Sequence, residues 1–229
     1  MDQLILPHPH WEAVTPATQE AFAKVSNLAC IQRYYLAGGT GLALHFGHRV
    51  SVDLDLFSDQ AGAVGPDERA SMREMLDDPT LSITYDQDAT FGATWHGVGV
   101  SFFRLNLYPL VQPTFLVDGI HLAGIEEIGA MKLAAVMGRG TRKDFIDLYF
   151  ILQQIPLEAV FEVASIKYAR VNSFVVGATR ALAYFEDAEA YPMPGMLRQV
   201  SWIKIKKFLN EKALEAGRKH FDDLWNSGR

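Results

Sequence analysis

The 229-residue chain is 49% hydrophobic and 21% charged, a balance that suits a folded soluble protein and is too apolar for intrinsic disorder. Its 21 basic against 27 acidic residues give a formal charge of −6, which argues against a surface that coats nucleic acid throughout while leaving room for a local basic patch. The single cysteine, Cys30, excludes an intrachain disulfide, and with no run of 18 apolar residues and no signal-like start in MDQLILPHPH the expectation is a cytoplasmic protein without a membrane span.

In chain order, the first predicted element is a helix from Pro16 to about Ile31, with Ala21, Val25 and Leu28 at helical spacing. Thr15 caps it and Pro16 takes the first helical position. A short strand or turn follows, then a helix opening near Gly39, then a strand from about Ser51 to Phe57. In that strand Val52, Leu54 and Leu56 alternate with Asp53 and Asp55, which places the apolar side chains in the core. PDERASMREML, Pro66 to Leu76, reads as an amphipathic helix with an acidic first turn. Between Leu81 and Val117 the segments LSITYD, GATWHG, VGVSFFRLNLY and PTFLV read as strands joined by hairpin-type turns. From Gly124 to Trp225 the pattern is helical, with five candidate helices. The expected fold is therefore α+β: a mixed sheet flanked by helices over residues 1–122, and a helical C-terminal part over residues 123–229 packed against it.

The chemistry concentrates around residues 38–55. Asp53 and Asp55, two apart on a strand, project from one face, about 6–7 Å apart along the backbone. Carboxylates this close repel unless a cation lies between them, and Mg²⁺, with its preference for hard oxygen ligands, is the expected one, Mn²⁺ being the alternative. On its own, D-x-D equally describes an exposed strand with two solvated aspartates. Upstream, Gly38, Gly39 and Thr40 form a turn that opens a helix. Glycines there let a phosphate approach, while the helix N-terminal amides and the Thr40 hydroxyl offer donors. The two segments together suggest a phosphate cradle beside a metal site.

A Gly-Gly turn on a helix followed by a strand carrying D-x-D resembles the nucleotidyltransferase superfamily related to DNA polymerase β. The fuller string LAGGTGLALHFGHRVSVDLDLFS is similar to the AbiEii/AbiGii toxin family, the nucleotidyltransferase-like component of type IV toxin–antitoxin systems. A second block, AMKLAAVMGRGTRKDFIDLYFIL, resembles that family's later motifs. The resemblance, over roughly Tyr34 to Leu152, implies a nucleotidyltransferase-like sheet and a toxin opposed by a separate antitoxin. The implied reaction is transfer of NMP from an NTP to an acceptor hydroxyl, with RNA, and tRNA foremost, as acceptor. It also implies that Lys132 contacts the nucleotide phosphates. One departure stands out: such enzymes carry a third carboxylate on a later strand of the sheet, and Trp95 to Val117 contains neither Asp nor Glu.

The second block has its own physical logic. Lys132 lies among Met131, Leu133, Ala134 and Val136, so it must snorkel to a cleft or meet an anion. Asp144 and Asp147, three apart at a helix start, share a face. Holding Lys132, binding metal and deprotonating the acceptor are all open to them. Arg49 precedes the carboxylate strand and is placed to pair with Asp53 or Asp55 or to reach a phosphate. Arg139, Arg142 and Lys143 form a basic cluster suited to a phosphate-rich substrate. His45 and His48 read as a partly exposed helix end without a third metal ligand. Seven basic residues between Arg198 and Lys219 against Glu211 and Glu215 make either a solvated helix face or an RNA or antitoxin surface. Two other functions compete: adenylylation of a small hydroxylated molecule of the aminoglycoside kind, and a catalytically silent nucleotide- or protein-binding module on the same fold.

Overall fold

In the computed structural model, residues 4–227 are described, with side chains through Lys219. Chain contacts divide it into two compact units, Met1–Ile128 and Gly129–Arg229.

The first unit is built on a mixed sheet of eight strands among the described residues, ordered β1-β7-β8-β2-β3-β6-β5-β4. Its strands are β1 (Leu4–Ile5), β2 (Tyr35–Leu36), β3 (Leu54–Ser58), β4 (Ser82–Gln87), β5 (Thr90–Trp95), β6 (Val98–Arg104), β7 (Phe115–Val117) and β8 (Ile120–Leu122). Three helices accompany them, α1 (Pro16–Val25), α2 (Gly38–Phe46) and α3 (Pro66–Met75). β3 and β6 pair in parallel, aligning Leu54 with Val100 and Asp55 with Ser101. Leu54, Leu56, Val100 and Phe102 alternate inward to a core shared with Phe22, Leu44 and Phe91, each such buried side chain contributing roughly 1.5–3 kcal/mol of hydrophobic stabilisation. β5 and β6 are joined by the two residues His96 and Gly97, both at positive φ, the turn geometry that matches the strands' own twist.

At the rim, among the described residues, β4 pairs only with β5, and all six of its residues are exposed, with a register shift between Ile83 and Tyr85. Asp86 on this strand binds Arg69 at 2.8 Å and also Arg73, both from α3.

Two expectations are corrected here. The strand bearing the aspartates begins at Leu54, not Ser51. Ser51 makes only an isolated bridge with Val14, Asp53 lies outside the ladder, and Val52 is 43% exposed instead of buried in the core. Apolar alternation marks residues that can pair, but here the continuous ladder with β6 begins at Leu54. The first helix ends at Val25, not Ile31, because Ser26 Oγ and Asn27 Nδ2 both donate to the Ala23 carbonyl at 2.8 Å. Side-chain donors thus take up a terminal carbonyl that a further helical turn would have used.

The helix α4 (Ile125–Gly138) runs from the first unit into the second. The second unit continues with α5 (Arg142–Ile151), α6 (Leu157–Lys167), α7 (Phe174–Ala181), the single turn α8 (Glu186–Glu189) and α9 (Trp202–Ser227). On α9 the buried residues Ile205, Leu209 and Ala213 recur every four positions, the stripe that seats a helix on its neighbours. Phe145, Phe185 and Trp202 pack ring on ring within the same unit.

Candidate active site

The first turn of α2 is where sequence and structure meet most closely. Ala37 precedes it, and its side chain makes no capping hydrogen bond; the positive end of the helix dipole lies at this turn. Gly38 sits at φ +64°, and a Cβ there would stand 2.9 Å from Asp55 Oδ2. A Cβ at Gly39 would come within 2.5 Å of Arg49 Nη2. The paired glycines therefore have a physical purpose before any ligand arrives: they leave room for a carboxylate and a guanidinium against the backbone. Arg49 is buried and also donates to the Val50 carbonyl at 3.2 Å. It lies against Gly39, so the structure places it beside the glycine turn.

Asp53 is exposed and Asp55 is half-buried. The Gly99 amide donates to Asp53 Oδ1 at 3.1 Å. Thr40 was expected to offer its hydroxyl to a phosphate. That is corrected: the hydroxyl is buried, donating to the Asp53 carbonyl and lying 3.0 Å from Ser51 Oγ. Thr40 ties α2 to the chain entering β3.

The histidine expectation is corrected as well. α2 ends at Phe46, Gly47 takes the left-handed cap position, and His48 lies beyond it, fully buried. His45 Nε2 is 2.8 Å from the Ala123 carbonyl oxygen, and burial holds its pKa below the ordinary value, favouring the neutral ring.

In the second unit, Lys132 Nζ lies 2.8 Å from Asp144 Oδ1 and 2.7 Å from Asp147 Oδ2. The side chains are 8%, 9% and 0% exposed, respectively. Asp144 closes a capping box as well, accepting from the Thr141 amide at 3.1 Å and the Thr141 hydroxyl at 2.6 Å. Burial pushes the Asp144 pKa up, but the Lys132 charge and hydrogen bond and the Thr141 hydroxyl together outweigh it, and the carboxyl is held below its usual range. Of the roles open to the two aspartates, holding Lys132 is the one this geometry displays. A fully buried Asp147 is not poised to touch an acceptor hydroxyl.

Arg142 binds Glu189 Oε2 at 3.1 Å and the Ala188 carbonyl at 3.2 Å, and stacks over Trp202. Its planar fork thus pins α5 to the segment around α8 within the second unit. The basic stretch near α9 is partly neutralised: Lys206 pairs with Glu189, Lys212 with Glu215 and Lys219 with Glu158 at 2.7, 2.8 and 3.3 Å. Exposed pairs of this kind contribute about 0–1 kcal/mol each, so they weaken the local positive field more than they hold the helix.

Sequence and fold comparisons agree on what this arrangement belongs to. The family model described as the AbiEii nucleotidyl transferase toxin of type IV toxin–antitoxin systems matches residues 22–107 and 104–226. The chain belongs to the AbiEii nucleotidyltransferase toxin family. A relative from Aquifex aeolicus, the uncharacterised protein aq_aa25, is 31% identical over 202 residues, spanning 86% of this chain and 94% of its own. Among solved structures, JHP933 from Helicobacter pylori aligns over 94% of this chain and 98% of its own, with a TM-score of 0.52 and 17% identity. The nucleotidyltransferase toxin MenT4 from Mycobacterium tuberculosis aligns over 88% of this chain and 83% of its own, with a TM-score of 0.56 and 16% identity. At such identities the two structures establish a shared fold, which is α+β with a mixed sheet. Among the described residues, no helix is long and apolar enough to cross a membrane.

Gly99 escaped the sequence reading altogether. Finding it requires knowing that β6 runs beside β3, pairing Val100 with Leu54, so that Gly99 comes next to the Asp53 side chain just before the ladder begins.

Proposed function

We propose that this AbiEii-family chain is a Mg²⁺-dependent toxin that transfers NMP from an NTP to a hydroxyl of RNA, with tRNA as the foremost acceptor and a separate antitoxin opposing it. The observation that carries the reading is the seating of Asp55 against Gly38 at the first turn of α2, with Asp53 two residues before it. The donor set suits the metal. Among the described residues no three acidic, histidine or cysteine side chains gather as a complete cage, whereas Mg²⁺ is commonly held by one or two carboxylates together with substrate phosphates. Asp53 and Asp55 would hold it, and Gly38 keeps their approach clear. The ion would supply positive charge against the triphosphate.

The chain's own groups account for the rest. The leading amides of α2 favour phosphate oxygens, and the Arg49 guanidinium beside Gly39 adds fixed positive charge. Attack of the acceptor oxygen on the α-phosphorus forms the new ester as the bond to pyrophosphate breaks and the hydroxyl proton passes to water. Positioning and electrostatics supply the rate enhancement in such a step. A silent nucleotide-binding module is the second reading, favoured by the absence of any acidic residue from Trp95 to Val117.

Incubation with each α-³²P-labelled NTP, Mg²⁺ and total RNA tests the proposal. Label in tRNA-sized RNA is expected, and it disappears in a folded Asp55→Ala variant. Label retained by that variant removes Asp55 from the site. Wild-type protein that binds NTP with Mg²⁺ but labels neither RNA, protein nor small molecules supports the silent module.

A further inference from the structure

We infer that Gly99 is a positioning residue that sets the direction of the Asp53 carboxylate. The inference rests on the reading of Asp53 and Asp55 as the metal-holding pair and adds a residue that the D-x-D pattern does not contain.

Asp53 lies one residue before β3, where the sheet no longer dictates its geometry. Its backbone is fixed from two helices. The Thr18 hydroxyl of α1 donates to the Val52 carbonyl at 2.9 Å, and the Thr40 hydroxyl of α2 donates to the Asp53 carbonyl. Neither bond constrains the exposed side chain. That task falls to β6, whose Gly99 amide donates to Oδ1. A carboxylate aimed by a backbone amide keeps its charge and its remaining lone pairs for a cation.

The amide can approach so closely only because residue 99 lacks a side chain. A Cβ there would stand 2.7 Å from Asp53 Oδ1 and 3.3 Å from its Cγ. The obstructed atoms are the tip of a short, exposed side chain, which can swing away. Gly99 has no positive φ, so alanine also suits its backbone. The substitution Gly99→Ala therefore turns the carboxylate aside while leaving the β3–β6 ladder in place.

The test is Mn²⁺ binding, followed by the free-ion paramagnetic resonance signal, alongside thermal unfolding of the same full-length proteins. Wild type, Asp53→Asn, Gly99→Ala and Gly138→Ala are compared, the last because a Cβ at Gly138 meets nothing within 4 Å. Loss of a partner that orients a ligand typically weakens metal binding by about 10–100-fold. That loss is expected in Gly99→Ala, with an unfolding temperature close to wild type, and Gly138→Ala is expected to bind as wild type does. Wild-type affinity in Gly99→Ala, beside weakened binding in Asp53→Asn, overturns the positioning role alone. Mn²⁺ binding indifferent to Asp53→Asn overturns the two-carboxylate reading and this inference with it. A Gly99→Ala protein without a cooperative melt overturns the claim that only the carboxylate moves.

Discussion

Two groups of acids in this protein solve opposite problems. Asp144 and Asp147 are buried around Lys132, so their charges are largely spent inside the second unit. Asp53 and Asp55 lie at the start of β3, exposed and half-buried, seated against glycine backbones. Buried charge must be paired, because removing an ion from water costs several kcal/mol. An accessible, aimed carboxylate keeps its charge for a ligand. A motif of spaced aspartates reads alike in the two places, and burial separates an ion cluster from a binding site.

The largest expected effect breaks the first group. Lys132→Met removes the cation from between two buried carboxylates and should destabilise the fold by about 3–5 kcal/mol, measured as a shift in the urea midpoint at neutral pH. An unchanged midpoint would mean that the trio is hydrated or rearranged in solution. A smaller effect sharpens the contrast through acid. Because the Asp144 pKa is lowered in the folded state, the unfolded chain takes up the proton first. The stability from this group is present above the ordinary aspartate pKa and is lost as pH falls through it toward the lower folded value. The stability difference between wild type and Asp144→Asn should therefore shrink from pH 6 to pH 3 in denaturant titrations. A constant difference would exclude ionisation of Asp144 as its source. The smallest effect belongs to the second group. Asp53→Asn should alter stability by no more than about 0.5 kcal/mol, as expected for an exposed position, and a much larger loss in calorimetry would assign Asp53 a structural role.

Long, strongly patterned segments were legible in the sequence. Pro66 and its acidic turn announced α3, the alternating runs after Leu81 announced β4, β5 and β6, and the apolar periodicity after Gly124 announced α4 to α7 and α9. The short strands β1 and β8 carry too little alternation to be seen, and β2 was legible only as a short strand or turn. Val52 misled because its apolar character continued a pattern that the sheet did not. At the candidate site the residue types were legible, but their engagements were not. The buried hydroxyl of Thr40, the guanidinium of Arg49 against Gly39 and the amide of Gly99 on Asp53 all depend on which segments lie side by side, and local spacing does not encode that.

The outer strand β4 carries a consequence for how this protein lives in solution. A sheet margin with exposed Ile83 and Tyr85 would, if straight, offer a row of unused amides and carbonyls on which another chain could continue the sheet. The register shift between those two residues bends that margin, and Asp86, gripped by Arg69 and Arg73, sets charge along it. A stray strand would have to match a kinked ladder and displace two arginines to attach. The sheet can thus end in open water without becoming the seed of an aggregate.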